Sequence, residues 1–135
     1  MSLTNREAIP FIYLVGPFTL GASQSTNQTL VMQADSHFEL CAIVATGGNA
    51  STTENSLFYP NSFSVSIRDQ TTGRDLTSGR VPQRILCGNA FQGMLQRRPI
   101  LFLPQSNLLF DFLDLSGANN TITLALHGFK LFGGM

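Results

Sequence analysis

Apolar and polar residues alternate without a break in the stretch FSVSIRD, residues 63–69. Successive side chains of a β-strand point to opposite faces of a sheet, so this pattern predicts a strand with one buried and one exposed face. The stretch TITLALH, residues 121–127, repeats the pattern with isoleucine or leucine at every second position. We expect the apolar sides of the two strands to line one shared core. The inward residues are Phe63, Val65, Ile67, Ile122, Leu124 and Leu126.

Shorter strand-like segments surround these two stretches, and none has the sustained 3.6-residue period of a helix. They are residues 10–15, bent at Gly16-Pro17 before 18–20, then 29–33, 37–44, a short one around 84–86, 100–103 and 108–113. Pro99 and Pro104 favour an edge strand or an extended connection for 100–103, because proline lacks a backbone donor. Residues 108–113 and 121–131 are predicted to form a hairpin around 116–120. The prediction is an all-β chain, with a polar N-terminal arm at residues 1–8 and a single antiparallel β-sandwich at 9–135.

The composition narrows the classes of partner. Charged residues make up 12% of the 135 residues, and eight basic side chains balance eight acidic ones. Zero net charge argues against nucleic acid as the main ligand, since that binding rests on neutralising phosphates. The apolar run at residues 9–20 is too short to span a bilayer, and the N-terminus lacks the apolar core of a signal peptide. A charge-poor surface suits a protein that docks to copies of itself or to a partner, although a small all-β domain rich in Ser, Thr and Asn has the same composition.

No group of residues predicts catalysis or metal binding. Asp69 and Asp75 flank the turn at residues 70–74 and are expected to cap it or to pair across it, while Asp111 is expected to face away from the core and meet an arginine. The two histidines, His37 and His127, are expected on outward strand faces, without the Cys/His spacing of a zinc site. No Gly-x-Ser-x-Gly elbow accompanies them, so a hydrolase has no positive feature. We predict no enzyme and no cofactor.

The cysteines indicate a reducing compartment. Cys41 lies in a strand-like run and Cys87 precedes a turn signal at Gly88-Asn89. Two widely spaced cysteines are no disulfide framework, and free thiols fit the cytoplasm. A disulfide between the two remains open at this stage.

Two segments are the best candidates for partner contact. An extended N-terminal arm can add a strand to a neighbour's sheet edge, and the polar stretch 46–56 is long for a compact domain. Phe58 and Tyr59 at its far end either contact a partner or pack down and anchor the loop. Arg97 and Arg98 form the densest basic patch, which is also typical of a solvated loop. The candidate contact residues are Leu3, Arg6, Ile9, Phe58, Tyr59, Arg97 and Arg98.

Most of the chain resembles small virion proteins of tailed bacteriophages. The resemblance rests on the strand order and on the turn at residues 69–76, which reads D-x-T-x-G-R-x-L. The segments involved are 63–76, 99–104, 108–115 and 121–130, and residues 10–20 and 29–44 fit the same layout. Proteins of this family are jelly-roll-like and decorate or cement the capsid, and some belong to the neck. The resemblance therefore implies a jelly-roll for the predicted sandwich at 9–135.

The resemblance implies a structural protein without catalytic residues. Its expected partners are the major capsid protein and itself, as a homodimer or homotrimer that bridges coat subunits. Its expected location is the capsid exterior, after assembly in the host cytoplasm. The alternative is a neck-associated or tail-associated protein, or a carbohydrate-binding adhesion module. The chain has no Trp and only two Tyr to build the aromatic platforms of a sugar site.

Overall fold

The computed structural model describes residues 7–46, 63–87 and 94–132, which form two antiparallel sheets packed face to face around one core. This confirms the predicted all-β sandwich. The strands of this part of the chain are β1 (Glu7–Leu20), β2 (Ser25–Val31), β3 (His37–Thr46), β4 (Phe63–Asp69), β5 (Arg74–Asp75), β6 (Val81–Pro82), β7 (Met94–Phe102), β8 (Asn107–Asp114) and β9 (Asn120–Phe132), with one helical turn, α1 (Gln83–Leu86).

The two sheets are interleaved along the chain. Sheet A has the strand order β1-β9-β3-β7, and sheet B has the order β2-β8-β4-β5, with β6 also paired to β4. The pairings are nested, because β1 pairs with β9, β2 with β8 and β3 with β7. The first and last strands therefore lie side by side, with Glu7 opposite Phe132. Residues 100–102 belong to β7 at the edge of sheet A, as the flanking prolines predicted.

The core lies between the inward faces of the two sheets. The alternating residues of β4 and β9 come from opposite sheets and belong to the same buried cluster, as predicted. Aromatic rings fill its centre: Phe112 packs edge-on against Phe18 at 4.8 Å between ring centroids and lies 5.6 Å from Phe63. Edge-to-face pairs of this kind add to the burial term. The ring of Phe112 thus links β1 of sheet A with β8 and β4 of sheet B.

Two glycines occupy bends of the backbone, and the one at Gly16 was predicted. The register of β1 shifts between Val15 and Phe18, where Gly16 has φ +97° and an added Cβ would come within 2.6 Å of the Ile122 carbonyl oxygen. Only glycine fits this bend without strain. Gly73 has φ +72° in the turn that follows β4. Glycine adopts this positive φ without steric cost, as tight turns often require.

Some predicted boundaries differ from the observed ones. Glu7 and Ala8, assigned to the arm, pair with β9 as part of β1. The strand predicted at 29–33 is β2, which begins earlier, at Ser25, and ends at Val31. The first residues of β2 are polar, yet they pair with β8. Polar residues are tolerated there because β2 is the edge strand of sheet B and is open to solvent on one side.

The prediction of a short strand around 84–86 is wrong, because these residues form α1. Its single turn is closed by the Cys87 N–H, which donates to the Gln83 carbonyl at 2.7 Å. Pro82 precedes α1 in the N-cap position, with φ −57° and an extended ψ of 145°, as the last residue of β6. Because Pro82 supplies no N–H for a ladder, the strand pairing ends there and the chain turns into α1.

The hairpin predicted from residues 108–113 and 121–131 is also wrong, because β8 lies in sheet B and β9 in sheet A. The carboxylate of Asp114, which is only 3% exposed, holds the corner between them. It accepts hydrogen bonds from the backbone N–H groups of Ser23 at 2.8 Å, Ser116 at 3.1 Å and Gly117 at 3.0 Å. The Ser116 hydroxyl and the Asn120 amide also donate to it, at 2.6 and 3.1 Å. These bonds turn the chain from one sheet to the other instead of back along β8.

We predict an acid-sensitive contribution to stability from this corner. Burial raises the pKa of Asp114, but hydrogen bonds from Ser116, Ser23 and Asn120 outweigh burial and hold the pKa below its ordinary value. A lowered folded-state pKa stabilises the fold fully above the unfolded pKa of about 3.9, and this stabilisation is lost as the pH falls further. Urea unfolding at a series of pH values should therefore show a steeper loss below about pH 4 in the wild type than in Asp114→Asn. Equal slopes would contradict this role.

Lys130, the only lysine of the chain, is buried at the opposite end of β9. Its ammonium group donates to the Asp35 carboxylate at 3.1 and 3.2 Å and to the Gln33 side-chain oxygen. The same group lies 4.1 Å from the centroid of the Phe11 ring. A buried cation needs such partners. Lys130 therefore ties β9 to β1 and to the turn between β2 and β3.

Candidate interaction surface

The outer face of sheet B is mostly polar, with Val31, Leu109 and Leu113 as apolar members. Its outward side chains include Asn27, Thr29, Ser66, Arg68 and Asp111, which alternate with core residues on β2, β4 and β8. Arg80 donates to Asp111 through two nitrogen atoms, each at 3.2 Å, and Arg68 pairs with Asp75 at 2.6 Å. Such exposed pairs contribute little to stability. They keep this face hydrated, as expected for the outside of a sandwich.

The outer face of sheet A is mostly apolar. Leu14 is 56% exposed, Ile12 49%, Leu101 45% and Phe129 36%. They alternate with buried residues on three different strands, and Pro10 stands beside Phe129 in the register of β1 and β9. We call this surface the apolar outer face; its apolar residues are Pro10, Ile12, Leu14, Val44, Leu101, Ala125 and Phe129. Two polar side chains lie among them, Glu39 between Phe129 and Leu101, and His127 beside Ile12.

The size of the apolar outer face is unusual for a free surface. With about 4.8 Å between strands and about 3.4 Å per residue, it measures roughly 14 Å by 14 Å between its outermost Cα positions, or a few hundred Å2 with side chains. Single exposed apolar residues are common, but a contiguous patch of this size typically marks an interaction site. The apolar outer face is therefore the main candidate site of the described residues.

A shallow depression of about 270 Å3 lies within this face. It is lined by Pro10, Phe11, Ile12, Cys41, His127, Gly128 and Phe129. A register shift in β3 between Leu40 and Ala42 places Cys41 at its wall. Burial, together with the nearby charge of Glu39, raises the pKa of the Cys41 thiol, which keeps it protonated and weakly nucleophilic at neutral pH. The depression can hold one large apolar side chain of a partner.

The residues singled out for possible chemistry have structural contacts. Asp69 accepts hydrogen bonds from the backbone N–H groups of Thr71 at 3.0 Å and Thr72 at 3.4 Å, which confirms that it caps the turn. Asp111 meets Arg80, as expected. His127 faces outward, but His37 is buried at the start of β3, directly after the turn, contrary to prediction.

Cys41 and Cys87 are separate free thiols, and burial raises the pKa of Cys87 to about 12. Among the residues that the structure describes, no three or more of His, Cys, Asp and Glu are grouped so as to hold a metal ion.

Only some of the predicted contact residues belong to the part of the chain that the structure describes. Ile9 lies on β1 and is 41% exposed. Arg97 and Arg98 belong to β7, of which the structure describes the backbone at these positions. Leu3, Arg6, Phe58 and Tyr59 lie outside the described residues, so their contacts stay predictions.

Sequence reasoning missed the apolar outer face. The signal was present in PFIYLV, residues 10–15, where both alternating sets of side chains are apolar. A strand that is apolar on both faces has more to bury than one core can cover. Phe129 and Leu101 carry no comparable local signal. Phe129 comes beside Pro10 and Glu39 only through the pairing of β9 with β1 and β3, and Leu101 comes beside Glu39 only through the pairing of β3 with β7.

No protein-family model matches the chain, and no curated protein matches it. Within residues 7–46, 63–87 and 94–132, no helix has the length and apolar character to cross a membrane.

Proposed function

We propose that this chain is a structural protein that works by docking the apolar outer face of sheet A on another protein. The observation behind the proposal is the contrast between the two outer faces, since that of sheet B is mostly polar and that of sheet A exposes Ile12, Leu14, Leu101 and Phe129. An interface core of aliphatic and aromatic side chains with few charges is typical of specific protein contacts. A catalytic role has no comparable support from the described residues.

The proposed partner is the major capsid protein of a tailed bacteriophage, which this chain decorates or cements from the outside by bridging coat subunits. This part of the proposal rests on the resemblance in strand order and in the turn at residues 69–76. A jelly-roll class for the sandwich is part of the same proposal. Its support is the nested pairing of β1 with β9, β2 with β8 and β3 with β7, which is the pattern of a rolled-up antiparallel ribbon.

The expected binding free energy of the apolar outer face suits a protein that attaches to the capsid through several contacts at once. Burial of about 300 Å2 of apolar surface at about 25 cal/mol per Å2 stabilises a complex by roughly 7 kcal/mol. The loss of translational and rotational freedom on association is of similar size, so one copy binds weakly by this face alone. Attachment through several contacts raises the effective affinity. The N-terminal arm and the 46–59 segment remain predicted sources of such contacts.

Binding to capsids tests the docking face. We expect the double variant Ile12→Thr, Leu14→Thr to lose at least about tenfold in affinity, because each lost side chain contributes roughly 1.5 kcal/mol or more when buried. Threonine favours strands and both positions are exposed, so the fold should be retained. The measurement is co-sedimentation with purified capsids assembled without this protein.

The matched control is Val31→Thr, which removes an apolar side chain that is 60% exposed on β2 of sheet B. Its binding should equal that of the wild type. A folded double variant that binds capsids like the wild type would overturn docking through this face. Binding to purified necks or tails but not to heads would support docking through this face and would refute the major capsid protein as the partner. Binding to a glycan array instead would favour the adhesion module.

A further inference from the structure

β1 offers a long free edge. It is the first strand of sheet A and pairs on one side with β9, and no other strand of the described residues lies on its opposite side. Its register is regular from Glu7 to Val15, before the shift at Gly16. We call residues 7–15 the β1 edge. Within it, Ile9, Ile12 and Leu14 are exposed, and Glu7 is the only charged residue. A long edge of this kind is a ready template for another strand.

The alternation of β1 determines which backbone groups face the free edge. In a strand, the N–H and C=O of one residue point to the same side, and this direction switches at each residue. Pro10 has no N–H yet lies in an unbroken register with β9, so it belongs to the residues that point away from β9. The free donors are therefore the N–H groups of Ala8, Ile12 and Leu14. Ile9, Phe11 and Tyr13 bond to β9.

We propose that two copies of this chain pair β1 with β1, antiparallel, about a twofold axis at Phe11. Ala8 then stands opposite Leu14 of the second copy, and Pro10 opposite Ile12 of the second copy. In this register every N–H on the β1 edge finds a carbonyl: Ala8 and Leu14 exchange two bonds, and Ile12 donates to Pro10. The Ile12 carbonyl alone lacks a donor, because it faces the proline ring. Strand addition of this type obtains its affinity from main-chain bonds.

The side chains fit a second copy in the same register. On the outer side, the large Leu14 stands opposite the small Ala8, and Ile12 opposite Pro10. On the other side of the sheet, Phe11 meets Phe11 of the second copy at the axis, and Ile9 stands opposite Tyr13, so the bulky side chains gather at the centre of the pair. Glu7 stands opposite Val15, which keeps the acidic groups of the two copies at opposite ends of the pair. The contact is isologous, as expected for a twofold dimer. A strand of another protein would have to reproduce all of these matches.

Pairing through β1 joins the two four-stranded sheets into one continuous sheet. The twofold axis of an antiparallel pair is perpendicular to the sheet, so both apolar outer faces point the same way. The dimer doubles the surface that the proposed function requires, although self-pairing does not depend on that function. An edge of nine residues spans about 30 Å and buries less than a standard interface of roughly 1,600 Å2. We therefore expect a reversible dimer whose population rises with concentration.

Sedimentation velocity over a concentration series tests the dimer. The wild type should pass from monomer to dimer as its concentration rises. Ile12→Pro should raise the dimer Kd at least about tenfold, because it removes an edge N–H that β9 does not use. The matched variant Ile12→Thr keeps that N–H and should dimerise like the wild type, although it contributes to weaker capsid docking. Leu14→Pro removes another edge N–H and serves as the second variant where Ile12→Pro does not fold.

Disulfide trapping tests the register. Ala8→Cys and Leu14→Cys are made separately in a Cys41→Ser background and oxidised alone and as a mixture. Hydrogen-bonded neighbours lie about 5.5 Å apart between Cα atoms, within the range of a disulfide. Only the mixture should give a covalent dimer, because residues 8 and 8, or 14 and 14, lie far apart in this register. A wild type that stays monomeric at all soluble concentrations, or equal cross-linking in the single-variant samples, would overturn the proposal.

Discussion

We expect Phe112→Ala to lower the free energy of unfolding by about 4 kcal/mol, the largest effect of any single substitution considered for this protein. The Phe112 side chain is fully buried. Its removal leaves a cavity between the sheets and deletes ring contacts with Phe18 at 4.8 Å and Phe63 at 5.6 Å. Because those rings belong to different sheets, the surroundings cannot collapse onto the cavity without shifting one sheet against the other.

Urea unfolding followed by circular dichroism measures this effect. Leu113→Ala is the matched control, since it truncates the next residue of the same strand, on the outer face, where the side chain is half-buried. We expect the control to lose about 1 kcal/mol. A loss in Phe112→Ala no larger than that in Leu113→Ala would show that the aromatic contact between the sheets does not hold the sandwich together.

We expect Asp114→Asn to lower the free energy of unfolding by about 3 kcal/mol. Each carboxylate oxygen of Asp114 accepts bonds from the corner after β8, including those from Ser23 at 2.8 Å and Gly117 at 3.0 Å. An asparagine amide turns one acceptor into a donor that faces other donors. The buried N–H groups left without an acceptor are the physical reason for the loss.

Asp111→Asn is the matched control for the corner. Asp111 lies three residues earlier on β8 and points outward, where it pairs with the exposed Arg80. An exposed pair of this kind contributes less than about 1 kcal/mol. Equal stability changes in the two variants would contradict a special role for Asp114. The two variants therefore distinguish a buried carboxylate that holds a turn of the backbone from an exposed carboxylate that pairs with an arginine on the surface.

The strands themselves were predictable because their signal is local. Alternation in residues 63–69 and 121–127 identified the buried faces of β4 and β9, and Gly16-Pro17 identified the bend in β1. The pairing of β8 was not predictable in this way. Residues 108–113 and 121–131 are close in sequence and both strand-like, which favoured a hairpin. The bonds to Asp114 instead bring Ser23 and Asn120 together across the chain, and that long-range arrangement has no local pattern.

The candidate site was predictable only in part. Ile12 and Leu14 could have been noticed in an apolar stretch whose two alternating sets are both hydrophobic. Leu101 and Phe129 become part of one face through pairing with Glu39, whose own residue type gives no hint of an apolar patch. The free donors of β1 follow from sequence and structure together. Proline at position 10 is visible in the sequence, but only the pairing of β1 with β9 shows which backbone N–H groups of β1 face the free edge.

The amino-acid sequence by itself determined that this chain forms strands, which side chains of β4 and β9 turn inward, and that few charges cover its surface. These properties depend on neighbours one or two residues apart, and a period of two expresses them directly. Only the tertiary structure decided which strands share a sheet and which outer face stays apolar. Those outcomes depend on side chains and backbone groups that lie far apart in the chain and meet only when the two sheets close over one core.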